Sequence, residues 1–267
     1  MGMSAVEPRT TASGTGRLLL VPNTLDLGAE PVDIQQLLPL GVLQCAAALS
    51  YWLAEDARST RAFLKRVHAV VPLSQPLQAV DIRELPRPPK GGAAVLAAPG
   101  DKLWRELLAP ARIGHDIGLI SEAGLPAVAD PGAVAVAAAH AIGISVVPLP
   151  GASSLLLALA ASGLNGQSFA FVGYLPQDAS QRNARLKELQ ALSRRGGQTQ
   201  LLIETPYRNA TLLKALLDSL SDDTRLSVSC GLSLPTAWTR TDRIANWRQR
   251  PAQMPDRVPA VFAFLAG

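Results

Sequence analysis

Ser121-Glu122-Ala123-Gly124-Leu125-Pro126-Ala127-Val128-Ala129-Asp130-Pro131-Gly132 follows the apolar run Ile117-Gly118-Leu119-Ile120 and precedes a ten-residue stretch of alanine, valine and isoleucine broken only by His140. That order predicts a buried strand, a turn of small residues and a helix. Asp130 can accept the unpaired amides of a helix start, with Pro131 supplying a preset φ at the first helical position. The helix is expected over 133–142 and Gly143 to close it. A second strand over 144–149 looks too apolar to face water on either side, as in a parallel sheet covered by helices. It leads into a second small-residue turn, Val147-Pro148-Leu149-Pro150-Gly151-Ala152-Ser153-Ser154, which opens another helix capped by Ser153. If the two strands lie parallel, both turns emerge at the carboxyl edge of one sheet, where open α/β folds take their ligands.

Working outward, strands are expected over 17–21 and 51–54, with helices over 34–48, 57–67 and 101–108. A proline-laden stretch at 86–92 interrupts the order before 93–98. Beyond the second turn, strands are expected over 169–174, 200–204, 226–230, 237–241 and 258–265. Helices fall over 178–193 and 206–220. The first half alternates strand and helix, and the second half has the order of a partly antiparallel sheet. The expectation is therefore a loose tail over 1–16, an N-terminal α/β domain over 17–149 with a mainly parallel sheet, and a C-terminal α/β domain over 150–267 with a mixed sheet.

Composition narrows the classes. With 48% hydrophobic residues in 267, the chain can fill two cores. A net charge of +4 permits an anionic partner without requiring one. Cys45 and Cys230 are too few and too far apart for a disulfide framework or a Cys-x-x-Cys site, which fits a reducing cytoplasm. The first sixteen residues lack the apolar core of a signal peptide, and no apolar stretch is long enough to span a bilayer. His68, His115 and His140 have no ligand partners at metal spacing, so no metal is expected. Dinucleotide fingerprint, phosphate loop and hydrolase elbow are all missing.

Glu55, Asp56, Arg58 and Arg61 follow the end of an inner strand and could present acid and base groups to a ligand, or form a solvated helix start. Glu122, one residue past a buried strand, can meet a ligand or partner its own turn. Two basic groups, Arg182, Arg185, Lys187, Arg194 and Arg195, then Arg240, Arg243, Arg248 and Arg250 with Trp238 and Trp247, could hold phosphates or form a wet surface.

These segments together resemble the tetrapyrrole methylase superfamily, and within it the branch of bacterial ribosomal RNA ribose 2'-O-methyltransferases acting on a small-subunit cytidine. The branch reads Ser-Asp-Ala-Gly-Thr-Pro-Gly-Ile-Ser-Asp-Pro-Gly, Pro-Leu-Pro-Gly-Pro-Ser-Ala and Gly-Phe-Leu-Pro. The corresponding segments here are Ser121 to Gly132, Pro148 to Ser154, and Gly173-Tyr174-Leu175-Pro176. Ala54-Glu55-Asp56-Ala57-Arg58 is similar to Ala-Glu-Asp-Thr-Arg, and Glu204-Thr205-Pro206-Tyr207-Arg208 to Glu-Ser-Pro-His-Arg.

The resemblance implies a cytoplasmic homodimer of two α/β domains, with S-adenosylmethionine in the cleft between the domains of each chain. It would place Glu122, Gly124, Leu125, Ser153, Ser154 and Glu204 at the cofactor. Glu55 and Arg58 are the candidates for acceptor-side catalytic roles. The function it implies is methyl transfer to an RNA ribose hydroxyl. The alternatives are a small-molecule, tetrapyrrole-like acceptor, or a silent cofactor-binding homologue. Departures from the branch bear on the acceptor and, at Glu122, on a cofactor contact. Val21-Pro22-Asn23-Thr24-Leu25-Asp26-Leu27-Gly28 replaces Thr-Pro-Ile-Gly-Asn-Leu-Gly-Asp and loses its glycine pattern; Glu122 replaces aspartate; and the chain ends at its last predicted strand, without the extension usual in the branch.

Overall fold

The computed structural model describes residues 14–26, 32–86 and 101–267, arranged as two compact units, Met1–Ala152 and Ser153–Gly267. Most of the expected tail and the stretch over 93–98 lie outside the described residues.

In chain order the first unit contains β1 (Arg17–Leu20), α1 (Leu40–Ala48), β2 (Tyr51–Ala54), α2 (Ala57–His68), β3 (Asp81–Glu84), α3 (Lys102–Leu107), α4 (Ala109–Arg112), β4 (Ile117–Ile120), α5 (Ala133–Ala141) and β5 (Ser145–Pro148). Among the described residues its five strands are all parallel, in the order β3-β2-β4-β1-β5. Period-2 alternation divides neighbouring residues between two helical layers. Leu19, Trp52 and Ile120 pack with Leu43, Phe63 and Leu64 of α1 and α2. Leu18, Leu53 and Leu119 pack with Trp104, Leu108 and Ala138 on the other face. Inner strands covered on both sides must be apolar throughout, as β4 is at all four positions.

The two sheet edges depart from the sequence reading. β3, Asp-Ile-Arg-Glu, was not expected as a strand, because its charges suit an edge beside water rather than an alternating core pattern. β5, expected to be covered on both faces, is the other edge: Ser145 and Pro148 are exposed and Val146 and Val147 half-buried. Pro148 is tolerated there because an edge strand needs only half of its ladder bonds.

The second unit contains α6 (Ser154–Ser162), β6 (Phe169–Gly173), α7 (Ala179–Gly196), β7 (Thr199–Ile203), α8 (Asn209–Ser219), β8 (Arg225–Cys230), β9 (Trp238–Arg243), α9 (Ile244–Gln249) and β10 (Ala260–Leu265). The strand order is β6-β7-β10-β8-β9, with β6 and β7 parallel and the remaining pairs antiparallel. Leu202, Phe262 and Phe264 face Leu186, Leu216 and Trp247, while Leu201, Val261 and Ala263 face α6. The helix α9 escaped the sequence reading because six residues cannot establish a helical period. It is anchored by the buried Trp247, whose indole N–H donates to the Leu226 carbonyl at 2.9 Å.

Candidate functional site

Because β1 lies between β4 and β5, the loop that leaves it is flanked by both small-residue turns. On one side, Asn23 forms a bridge with Gly124: its amide donates to the Gly124 carbonyl at 2.8 Å. The buried Asn23 side chain continues the seam. Its Nδ2 donates to the carbonyls of Ser121 and Glu122, both at 3.0 Å, and its Oδ1 accepts the Thr24 amide at 2.8 Å. On the other side, Gly151 meets Pro22 so closely that an added Cβ would stand 2.3 Å from the proline Cβ. Glycine is required there by contact between loops of the chain itself. The far end of the β1 loop is fixed by Arg66 of α2. Its guanidinium pairs with the buried Asp26 at 2.9 Å and donates to Thr24 Oγ1 and the Val32 carbonyl. The loss of the glycine pattern in this loop is thus accompanied by a dense polar network; residues 27–28 lie outside the described residues.

Three neighbouring carboxyl groups meet at the first turn, two of them its own. Glu55, just beyond β2, accepts the Glu122 amide at 3.0 Å through Oε2, which ties the ends of β2 and β4 together. Asp130 is the third. Burial, then the charges of Glu55 and Glu122, push its carboxyl up to about 7. It does not cap the helix as expected: α5 begins at Ala133, its N-cap is Gly132, and no side chain caps it. Gly132 has φ +132°, and Ala127 and Ala129 also hold positive φ. The backbone either side of Asp130 is therefore bent in a way that alanine adopts only at a cost of about 1 kcal/mol or more. The chemical consequence is a region of negative potential at the carboxyl edge that favours a cation.

Other predicted residues are placed as follows. Gly124 is in the seam with Asn23, at φ +67°, and Leu125 follows it. Arg58 is exposed on the first turn of α2. In the second unit, Ser153 is the buried N-cap of α6 but makes no side-chain capping bond, and Ser154 is the first residue of that helix. Glu204, beyond β7, has its carboxylate engaged locally: Oε1 accepts from the amide and hydroxyl of Thr205, and Oε2 pairs with Arg208 at 3.0 Å.

Two arginines of the second basic group are tied into the fold, while Arg243 and Arg250 are exposed. Arg240 lies over the Trp247 ring, 3.9 Å from its centroid, and pairs with Asp242. Arg248 donates to the carbonyls of Leu217 and Leu220 and pairs with Asp222. In the first group, Arg185 pairs with Glu188 and Arg194 with Asp223. A cavity of about 720 Å³ in the first unit is lined by the amino ends of β1, β2 and β4 together with α1. Its charged groups are already matched, Arg17 gripping Asp116 at 2.6 Å, and burial pushes the Cys45 thiol up. Among the described residues, no helix is long and apolar enough to cross a membrane, and no group of three or more His, Cys, Asp or Glu could hold a metal.

Comparison with known proteins adds three findings. The sequence pattern of the Tetrapyrrole (Corrin/Porphyrin) Methylases matches residues 46–245. Ribosomal RNA small subunit methyltransferase I of Pseudomonas aeruginosa is 43% identical over 109 residues, 41% of this chain and 35% of that protein. The protein of the same name from Xylella fastidiosa is 32% identical over 195 residues, 73% of this chain and 63% of that one. The matched stretch thus spans from about a third to under two thirds of these relatives' lengths. Uroporphyrin III C-methyl transferase from Thermus thermophilus shares the fold, with a TM-score of 0.51 at 19% identity, covering 94% of this chain and 97% of that one.

Proposed function

Because the chain belongs to the tetrapyrrole (corrin/porphyrin) methylase family, we propose that it transfers a methyl group from S-adenosylmethionine to a ribose hydroxyl of RNA. The observation that carries the choice of donor is the group of carboxylates at the first turn, held in place by the Glu55–Glu122 bond and the Asn23 seam. S-adenosylmethionine supplies an electrophilic methyl on a positively charged sulfonium, and such a centre is stabilised by nearby negative charge. The donor set fits it. RNA as the acceptor is supported by the names of the relatives that the chain matches.

In this reading Glu122, Gly124 and Leu125 hold the donor, and Ser153, Ser154 and Glu204 are its further contacts. Glu55 orients Glu122 through its amide. Glu55 and Arg58 take the acceptor side, where the guanidinium balances phosphate charge and the carboxylate stands near the hydroxyl that gives up its proton. Displacement requires acceptor oxygen, methyl carbon and sulfur in line, so positioning contributes much of the acceleration. The reading includes a homodimer acting in the cytoplasm, where ribosomal RNA is found.

Purified protein supplied with tritium-labelled S-adenosylmethionine, total RNA and a small-molecule extract tests this directly. Label is expected in ribonuclease-sensitive material, as a 2'-O-methylnucleoside after digestion. Label confined to extracted small molecules overturns the RNA reading while keeping the methyltransferase. Label in neither fraction overturns both.

A further inference from the structure

With Trp247 buried under Arg240 and Arg248 bonded to backbone carbonyls, a different pair of aromatic rings stands exposed to solvent. Tyr174 follows the carboxyl end of β6 and is 56% exposed. Tyr207 lies in the turn Pro206–Arg208 beyond β7 and is 75% exposed. Since β6 and β7 are neighbouring parallel strands, the two rings stand on adjacent loops at one edge of the sheet. A lone exposed tyrosine needs no explanation. Two at the carboxyl edge of a parallel strand pair, where α/β sheets take ligands, ask for one.

Each ring has an arginine from its own loop region. Arg182, on the first turn of α7, donates from Nη1 to the Gln177 carbonyl at 2.9 Å, which draws its guanidinium back toward the loop that carries Tyr174. Among the described residues it forms no ion pair, so its charge is not cancelled locally. Arg208 adjoins Tyr207, but Glu204 neutralises it at 3.0 Å. The edge thus carries two exposed aromatic rings and one arginine with no ion pair among the described residues. Unpaired RNA combines the matching features: bases with exposed π faces, which stack on aromatic side chains whatever their sequence, and a phosphate at every step. An apolar protein partner would have no use for the charge of Arg182.

We propose that Tyr174 and Tyr207 are a stacking platform for unpaired RNA bases, with Arg182 meeting the backbone phosphate. This deepens the RNA reading above and rests on it.

The test is fluorescence anisotropy with a labelled, unstructured oligoribonucleotide, titrated at several salt concentrations. Tyr174→Ala and Tyr207→Ala are each expected to weaken binding by about 5- to 100-fold, with the dependence on salt unchanged. Tyr207→Phe, which keeps the ring, should bind like the wild type. Arg182→Ala should weaken binding and lower the slope of log affinity against log salt by about one. Wild-type binding with unaltered alanine variants overturns the platform and leaves RNA methylation standing. Alanine variants that change sedimentation but not RNA affinity assign the rings to a protein contact and also overturn it. Absence of RNA binding by the wild type, together with label in small molecules, overturns platform and RNA reading together.

Discussion

Gly151→Ala is expected to destabilise the first unit by about 3 kcal/mol, at the upper end of overpacking costs, and to abolish measurable donor binding. The new Cβ would lie 2.3 Å from Cβ and 2.4 Å from Cγ of Pro22, and neither neighbour is the end of a flexible side chain. Relief requires the loop after β1 and the turn after β5 to separate. Urea unfolding of Gly151→Ala, Pro22→Gly and the double variant would give the coupling energy: the double variant should recover part of the loss, because it removes the atoms in collision. An unchanged midpoint for Gly151→Ala would mean that the loop and turn do not touch.

The seam on the other side gives the second large effect. Asn23→Ala removes two donations and one acceptance from a side chain that is only 5% exposed, leaving the carbonyls of Ser121 and Glu122 and the Thr24 amide short of partners. At about 1 kcal/mol or more for each buried group left unpaired, the expected loss is about 3 kcal/mol. Donor affinity should fall by at least about tenfold, because the backbone of Glu122 is no longer held against the loop after β1. Asn23→Asp should be no better, since it keeps the acceptor but turns an anion toward two carbonyl oxygens. Denaturant midpoints and donor titrations on the folded variants measure both effects; wild-type values in either variant would dissociate the seam from the site.

Much of this architecture is legible in local sequence. The apolar run over 117–120 and the small-residue turn after it define an inner strand and its carboxyl-edge loop, and the repeat of that pattern at 144–154 correctly anticipates parallel strands. What was misjudged involves position within the sheet. Val146 and Val147 look like core, yet β5 is an edge, and strand order is set by pairing between segments far apart in the chain. Charged β3 is hidden for the converse reason, since an edge strand need not alternate.

The site is less legible than the fold. Asn23 bonds to residues 98 and 99 positions away, so no local spacing reveals that it fastens the loop after β1 to the first turn. Asp130 in Asp130-Pro131 has the composition of a helix start, but the positive-φ turn over 127–132 delays α5 and leaves the carboxyl facing other carboxylates. Arg240 and Arg248 read as phosphate-binding charge until the buried Trp247 and the carbonyls of α8 and its flank claim them. In each case the missing information is which distant group supplies the partner.

If the carboxylates at the first turn hold a cationic methyl donor, calorimetric titration with S-adenosylmethionine in buffers of different ionisation heat will register it. With its carboxyl at about 7, Asp130 is partly protonated near neutral pH. An approaching sulfonium favours the ionised form, so binding should release a fraction of a proton. The release should diminish at higher pH, where the group is already ionised, and disappear in Asp130→Asn. S-adenosylhomocysteine, whose sulfur is uncharged, should bind with much less release. Absence of binding heat, or donor binding with the same enthalpy in every buffer at about pH 7, would mean that these carboxylates do not hold the donor.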